Sequence, residues 1–362
     1  MEISRCFPWL SRHRQGKKRD SFETLPDDVV VDVLSRLEVD QLGRTKRICR
    51  RWRALIGTAH FTRVHLQRAS SVTVVCSMFS ERRAVDMPFF FYYDWGTREK
   101  IRGAKLLGLR PMRRTIHNYC DLLGCCDGLL IFVGPLSNST YEIYNPVTRE
   151  GINLLKGGSI CGFFLHSLSN EYRLLSYRET LNGFSYHVGG LGPAAWEEVG
   201  VFPYRPGEQE APSGVKGRLH WMVVGKERMP APCLHSIMVF STGESEFRFM
   251  PHPGDTCLSS HGHSNMHLVE RNGRAYVYAI RVEVMCVWVL EDYASWHRVK
   301  KCDIDLEWCL NPHPEFVTSY SNYKNMQLVD SRDGELLLFW PRNGFFRYNL
   351  RSETITKVDY SK

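Results

Sequence analysis

Asp333-Gly334-Glu335-Leu336-Leu337-Leu338-Phe339, followed closely by Phe346-Arg347-Tyr348-Asn349-Leu350, reads as a glycine turn, an apolar strand and a second aromatic strand. The same pairing recurs upstream. Cys126-Asp127-Gly128-Leu129-Leu130-Ile131-Phe132 precedes Tyr141-Glu142-Ile143-Tyr144-Asn145-Pro146, and Tyr172-Arg173-Leu174-Leu175-Ser176 precedes Tyr186-His187-Val188 and Trp196-Glu197-Glu198-Val199. Val215-Lys216-Gly217-Arg218-Leu219-His220-Trp221 precedes Ile237-Met238-Val239-Phe240, and Asn272-Gly273-Arg274-Ala275-Tyr276-Val277 precedes Val287-Trp288-Val289-Leu290. Gly217, Gly273 and Gly334 lie 56 and 61 positions apart. Repeats of about 50 residues built from short strands predict propeller blades. One four-stranded sheet cannot cover both of its faces, so neighbours must stack around an axis until the ring closes.

Working outward, Val72-Thr73-Val74-Val75-Cys76 and Phe89-Phe90-Phe91-Tyr92-Tyr93 supply strands for one more unit, which gives about six blades. Thr62-Arg63-Val64-His65-Leu66 reads as an early strand that joins Thr354-Ile355-Thr356-Lys357-Val358 to shut the ring. The expected fold is mainly β, a propeller over 63–360.

The segment before it, 22–62, has a different period. Thr24 and Asp27 are spaced like a capping box, Pro26 suits a first helical turn, and Val29, Val30, Val33, Leu34 and Leu37 recur at helical spacing. A helix is expected from about 26 to 37. Asp40 reads as the cap of a second, and Ile48, Trp52, Leu55 and Ile56 form one stripe of a third, opposite Arg47, Arg50, Arg51 and Arg53. A three-helix unit of about 40 residues is marginal alone. It is expected to dock, with its apolar face covered by something else.

The 362 residues are 43% hydrophobic, enough for a large core. The net charge of +8 is concentrated at the start: residues 1–68 hold 15 Lys/Arg against 8 Asp/Glu, and the remainder holds 32 against 31. A nearly neutral large domain lacks the basic stripe that phosphate contacts need, so no nucleic-acid partner is expected. No run reaches the roughly 20 apolar residues that span a bilayer, and Met1-Glu2-Ile3-Ser4-Arg5 does not open a secretory signal, so no membrane partner is expected. Residues 1–21 read as a basic disordered tail in which Arg12-His13-Arg14-Gln15-Gly16-Lys17-Lys18-Arg19 matches the pattern of a nuclear import signal or a solvated basic run. Location in the nucleus, the cytoplasm or both follows as an expectation. The 12 cysteines show no Cys-x-x-Cys and no regular framework, so disulfides are not expected there.

Two sets of residues carry a resemblance. Leu25-Pro26-Asp27-Asp28 with the Val/Leu stripe, and then Cys49-Arg50-Arg51-Trp52-Arg53-Ala54-Leu55-Ile56, resemble an F-box, with Leu37-Glu38 standing where the family pattern has Leu-Pro. Cys126-Asp127-Gly128-Leu129-Leu130, Tyr144-Asn145-Pro146-Val147-Thr148-Arg149, Tyr172-Arg173-Leu174-Leu175, Trp196-Glu197-Glu198-Val199, Gly217-Arg218-Leu219-His220-Trp221 and Ser295-Trp296-His297-Arg298-Val299 resemble successive signatures of the plant F-box-associated, kelch-like domain. The resemblance implies the substrate-receptor subunit of a Skp–cullin–F-box ubiquitin ligase. An F-box binds a Skp-type adaptor and through it a cullin, and the propeller captures an unidentified target protein. On that reading the adaptor face is Leu25, Pro26, Val30, Val33, Leu34 and Leu37, and the subunit itself is not a catalyst. The other readings are an interaction module that assembles no ligase, and a metal-dependent or sugar-binding propeller.

Chemistry beyond binding finds little purchase. Cys257, His261, His263 and His267 are four possible zinc ligands, but their spacing matches no common finger and the segment is rich in Pro, Gly and Ser, so no metal is expected. Cys302, Cys309 and His313 are weaker candidates. No nucleophile elbow, phosphate loop or dinucleotide turn occurs, and no cofactor is expected. Trp196, Trp221, Trp288, Trp296 and Trp340 are expected to pack blades. The polar connections 203–214 and 251–265 are the candidate target-binding loops.

Overall fold

The computed structural model describes residues 25–37, 39–68, 72–77, 89–94, 101–105, 122–133, 140–145, 150–155, 158–192, 195–207, 212–225, 231–254, 266–271, 273–281, 284–292, 297–306, 326–340, 344–358 and 360–361. The chain divides into two compact units, Met1–Ala69 and Ser70–Lys362.

Among the described residues the first unit holds four helices: α1 (Asp27–Leu34), α2 (Val39–Thr45), α3 (Arg50–Ile56) and α4 (Ala59–Arg68). The expected cap is replaced. Pro26 occupies the N-cap of α1 with no side-chain cap bond, and Thr24 lies outside the described residues. Asp40 falls inside α2 rather than before it. Cys49 caps α3, its sulfur accepting the Trp52 N–H at 3.4 Å. Ile48 lies outside α3 and is exposed, so it leaves the stripe formed by Trp52, Leu55 and Ile56.

The fourth helix corrects the strand expected at Thr62–Leu66. Thr58 Oγ1 accepts the Phe61 N–H at 3.1 Å, a helix start of the kind that a threonine favours. Phe61 is buried with Val64 packed beside it, one turn apart, and His65 Nε2 lies 3.0 Å from the Leu37 carbonyl. Tertiary packing thus overrides the two-residue alternation that suggested a strand. With α4 in place the unit does build a core of its own, from Val30, Val31, Leu34, Leu42, Ile56 and Phe61. The three-helix unit expected to be marginal alone is thus a four-helix unit with a small core of its own.

The second unit contains six sheets among the described residues. Sheet 1 takes β1 (Val72–Ser77), β2 (Phe89–Asp94) and β3 (Ile101–Lys105). Sheet 2 takes β4 (Leu122–Cys126), β5 (Leu129–Val133), β6 (Thr140–Asn145) and β7 (Glu150–Leu155). Sheet 3 takes β8 (Ser159–His166), β9 (Glu171–Thr180), β10 (Gly183–Gly190) and β11 (Glu197–Phe202). Sheet 4 takes β12 (Arg205–Pro206), β13 (Ser213–Val215), β14 (Arg218–Val224), β15 (Ile237–Ser241) and β16 (Glu246–Met250). Sheet 5 takes β17 (Met266–Arg271), β18 (Arg274–Arg281), β19 (Val284–Asp292) and β20 (His297–Asp305). Sheet 6 takes β21 (Gln327–Arg332), β22 (Glu335–Trp340), β23 (Gly344–Asn349) and β24 (Thr354–Val358). Five sheets are therefore made of consecutive strands. Sheet 1 is composite, because β25 (Tyr360–Ser361) returns to pair with β3 in parallel.

This return closes the ring, together with contact between β1 and β21. Closure uses Tyr360–Ser361 rather than the expected Thr354–Val358, which pairs with β23 as the last strand of sheet 6. First strands meet across neighbouring sheets, β4 with β8, β13 with β17 and β17 with β21, so they line the axis.

The apolar run that opens the repeat now has a physical reason. Every residue of β22 is buried, because Leu336, Leu338 and Trp340 pack toward sheet 5 while Leu337 and Phe339 enter a separate cluster with Val329, Phe345 and Val358. A strand covered on both faces needs no polar alternation. Trp221 and Trp288 are likewise buried between sheets, Trp196 is half-buried, and Trp296 lies outside the described residues. Trp196 lies flat against Gly189, where an added Cβ would come within 2.5 Å of the indole.

One buried titratable group supplies a pH prediction. His220 is 1% exposed, with Nδ1 2.9 Å from the Ser213 carbonyl, and burial lowers its pKa from 6.5 to about 4. The folded state therefore binds the proton less well than the unfolded chain. The contribution is intact above pH 6.5 and is lost as pH falls toward 4, by up to about 3 kcal/mol. Denaturant titrations between pH 7 and 4 should show this loss, and His220→Gln should flatten it at some cost in stability at pH 7.

Candidate functional site

The helical unit presents its surface through α1. Four valines at 29, 30, 31 and 33 place apolar groups around most of this helix, so the single expected stripe separates into two. Val30, Leu34 and the half-buried Leu37 turn inward to the core with Val31. Pro26, Val29 and Val33 form an outer row at spacings of three and four, with Val29 39% and Val33 46% exposed. Leu25 packs against the core edge. Leu25, Val30, Val33, Leu34 and Trp52 line one shallow apolar dimple, no larger than a methyl group could fill. Of the six expected face residues, Pro26 and Val33 are exposed; Leu25, Val30 and Leu34 shape the dimple from beneath, and Leu37 belongs to the inner row. Val29, exposed beside them, is outside the expected six although it stands in the same periodic run.

Ion pairs fix the geometry of this face. Arg51 donates to both Asp27 Oδ1, at 2.9 and 2.6 Å, and the Leu25 carbonyl, which ties the start of α3 to the start of α1. Arg68 donates to Ser35 Oγ at 2.7 Å and pairs with Asp32 at 2.6 Å, drawing α4 back onto α1. That bond, with Arg36, holds the Asp32 carboxyl below its usual range. Arg51 is thus withdrawn from the expected basic face, while Arg47, Arg50 and Arg53 remain exposed. Glu38 lies outside the described residues.

In the propeller, strand alternation assigns an end to each connection. The two-residue turns at Asp127-Gly128, Lys216-Gly217 and Asp333-Gly334, each with both residues at positive φ, join first to second strands at one end. The connections from a fourth strand to the next first strand leave from the opposite end, and the described parts of 203–214 and 251–265, namely 203–207, 212–214 and 251–254, belong to two of them. The first is in part strand, and of the second only 251–254 is described. The first contains β12 and β13, two pieces of the inner strand that both pair with β14. The second begins pinned: His252 is buried, its N–H donates to Ser236 Oγ at 2.9 Å, and Arg298 donates to the Pro251 and His252 carbonyls at 2.8 and 2.6 Å.

Of the possible zinc ligands, Cys257, His261 and His263 lie outside the described residues, as do Cys309 and His313. His267 is a member of β17 and stacks on Tyr278 across the strand pair, with ring centroids 4.9 Å apart. No group of three metal-ligating side chains occurs among the described residues. Burial pushes the thiols of Cys126 and Cys302 up to about 12 and that of Cys161 further, so these three stay protonated at neutral pH and are poor nucleophiles.

Comparison with known proteins yields two family models in this order. One described as F-box-like matches residues 22–67, and one described as an F-box associated beta propeller domain matches residues 78–361. An F-box protein of Arabidopsis thaliana is 25% identical over 313 residues, covering 76% of this chain and 71% of the relative. A putative F-box protein of the same plant is 22% identical over 331 residues and covers 85% of each chain. Among solved structures, the β-propeller domain of the Trilobed protease from Pyrococcus furiosus aligns with a TM-score of 0.39 and 9% identity over 80% of this chain and 81% of that one, too loosely to carry an argument.

Proposed function

The chain belongs to the F-box-associated β-propeller family, and from that premise we propose that it is the substrate-receptor subunit of a Skp–cullin–F-box ubiquitin ligase. The helical unit holds a Skp-type adaptor, and through it a cullin, while the propeller captures a target protein. The observation that carries this reading is the outer row Pro26, Val29 and Val33 beside an apolar dimple, on a unit whose own core is complete without it. Exposed apolar surface that is not needed for folding is a mark of association.

The subunit acts by position rather than by chemistry of its own. Holding target and ligase machinery on one scaffold converts a bimolecular transfer into an effectively intramolecular one, so rate comes from effective concentration. Such a subunit works in the nucleus, the cytoplasm or both, and needs no cofactor. Co-expression with a Skp-type adaptor tests the proposal. One adaptor per full-length chain should co-elute through size exclusion, and a chain that elutes alone at micromolar concentration would overturn the adaptor assignment.

A further inference from the structure

Between sheets 4 and 5, at the end that carries the two-residue turns, lies a cleft of about 250 Å³ lined by Val215, Lys216, Gly273, Arg274, Ala275, Leu290 and Glu291. Its floor is a small apolar cluster of Val215, Ala275 and Leu290, all buried. Its rim is charged and exposed, with two cations, Lys216 and Arg274, against the one carboxylate of Glu291.

We propose that this cleft seats an anionic side chain from a peptide segment of the captured protein. This rests on the reading that the propeller captures protein. Three observations lead to it. The volume is below that of most sites for whole small molecules and suits one or two side chains. The wall open to a ligand is mainly polar, and its lining carries two cations against one carboxylate, an excess of one positive charge that favours a carboxylate or phosphate group. An extended polyanion fits less well, because Glu291 interrupts the basic rim and the domain as a whole is nearly neutral.

The third observation is backbone geometry. In the turns at Asp127 and Asp333 the left-handed position is held by aspartate, a residue that tolerates it, whereas the matching position here is Lys216 at φ 49°. A long side chain gains nothing locally from that conformation. Held there, it lines the cleft from sheet 4 as Arg274 does from sheet 5.

The test uses full-length protein and an immobilised library of degenerate seven-residue peptides whose central residue is fixed as Asp, Glu, phosphoserine, Asn, Gln or Lys. Asp- or Glu-centred pools should retain wild type about fivefold better than Asn- or Gln-centred pools. Preference for the phosphoserine pool over these would assign the anion as phosphate. Either preference should disappear in Lys216→Glu/Arg274→Glu, whose exposed side chains leave the melting temperature unchanged, and should rise in Glu291→Gln. Retention that is indifferent to the central charge, or an anionic preference that survives the double reversal, overturns the cleft assignment. If wild type and double variant hold a common set of peptides equally well, capture itself stands and only its location is wrong. If no pool is retained by either, both the cleft and peptide capture by the propeller are rejected.

Discussion

Val29→Asp combined with Val33→Asp should weaken binding to a Skp-type adaptor by about 100-fold or more, while the helical unit stays folded. Each valine is already partly exposed, so a carboxylate at either position disturbs no internal packing. In a complex the same two side chains would be covered. Covering a valine contributes roughly 1.5 kcal/mol, and a buried unpaired carboxylate costs more, so two sites together exceed the ~2.8 kcal/mol of a hundredfold change. Titration calorimetry with purified adaptor measures the loss, and circular dichroism checks the helices. Adaptor affinity within a factor of three of wild type would move the interface off this face. Leu25 is a poorer position for such a test, since its side chain packs on the core.

Trp221→Ala should destabilise the propeller by about 3–5 kcal/mol. Trp221 is 1% exposed in β14, and its indole N–H donates to the Cys161 carbonyl of β8 at 3.0 Å. The side chain therefore fills the seam between sheets 3 and 4 and satisfies a buried acceptor there. Gly162 makes room for this seam, because a Cβ at that position would meet Leu219 at 2.9 Å and the Trp221 ring at 3.6 Å. Trp221→Phe keeps most of the volume but leaves the carbonyl without its donor, at about 1–3 kcal/mol. Thermal unfolding should rank wild type above Phe above Ala, with roughly 5–8 °C between the extremes for a domain of this size. A loss below 1 kcal/mol for Ala would mean that sheets 3 and 4 do not pack through this residue.

The repeat was legible because its turns are chemically marked. Asp127-Gly128, Lys216-Gly217 and Asp333-Gly334 need left-handed backbone, and that requirement is written in the glycines. What lies between sheets was legible only as composition. That Leu336 packs toward sheet 5 while Leu337 packs within sheet 6 is fixed by how the sheets stack, which periodicity along one strand does not encode. Thr62–Leu66 was misread because its alternation suits a strand as well as a helix; Phe61, His65 and Arg68 resolve it by contacts to α1 and the turn after it. The face of α1 was ambiguous for a related reason, since four valines leave its inner side undefined until α3 and α4 pack on it. The cleft between sheets 4 and 5 left no sequence signal, because Lys216, Arg274 and Glu291 belong to different strands and turns.

The central claim is that one unit delivers and the other captures. The direct measurement compares full-length wild type with Val29→Asp/Val33→Asp in cells, by quantifying co-purified proteins and the half-lives of those captured. The account predicts that adaptor and cullin vanish from the variant, while the captured proteins remain, in greater amount and with longer lives. Loss of the captured proteins together with the adaptor, or their decay at the wild-type rate without it, would contradict the division of labour.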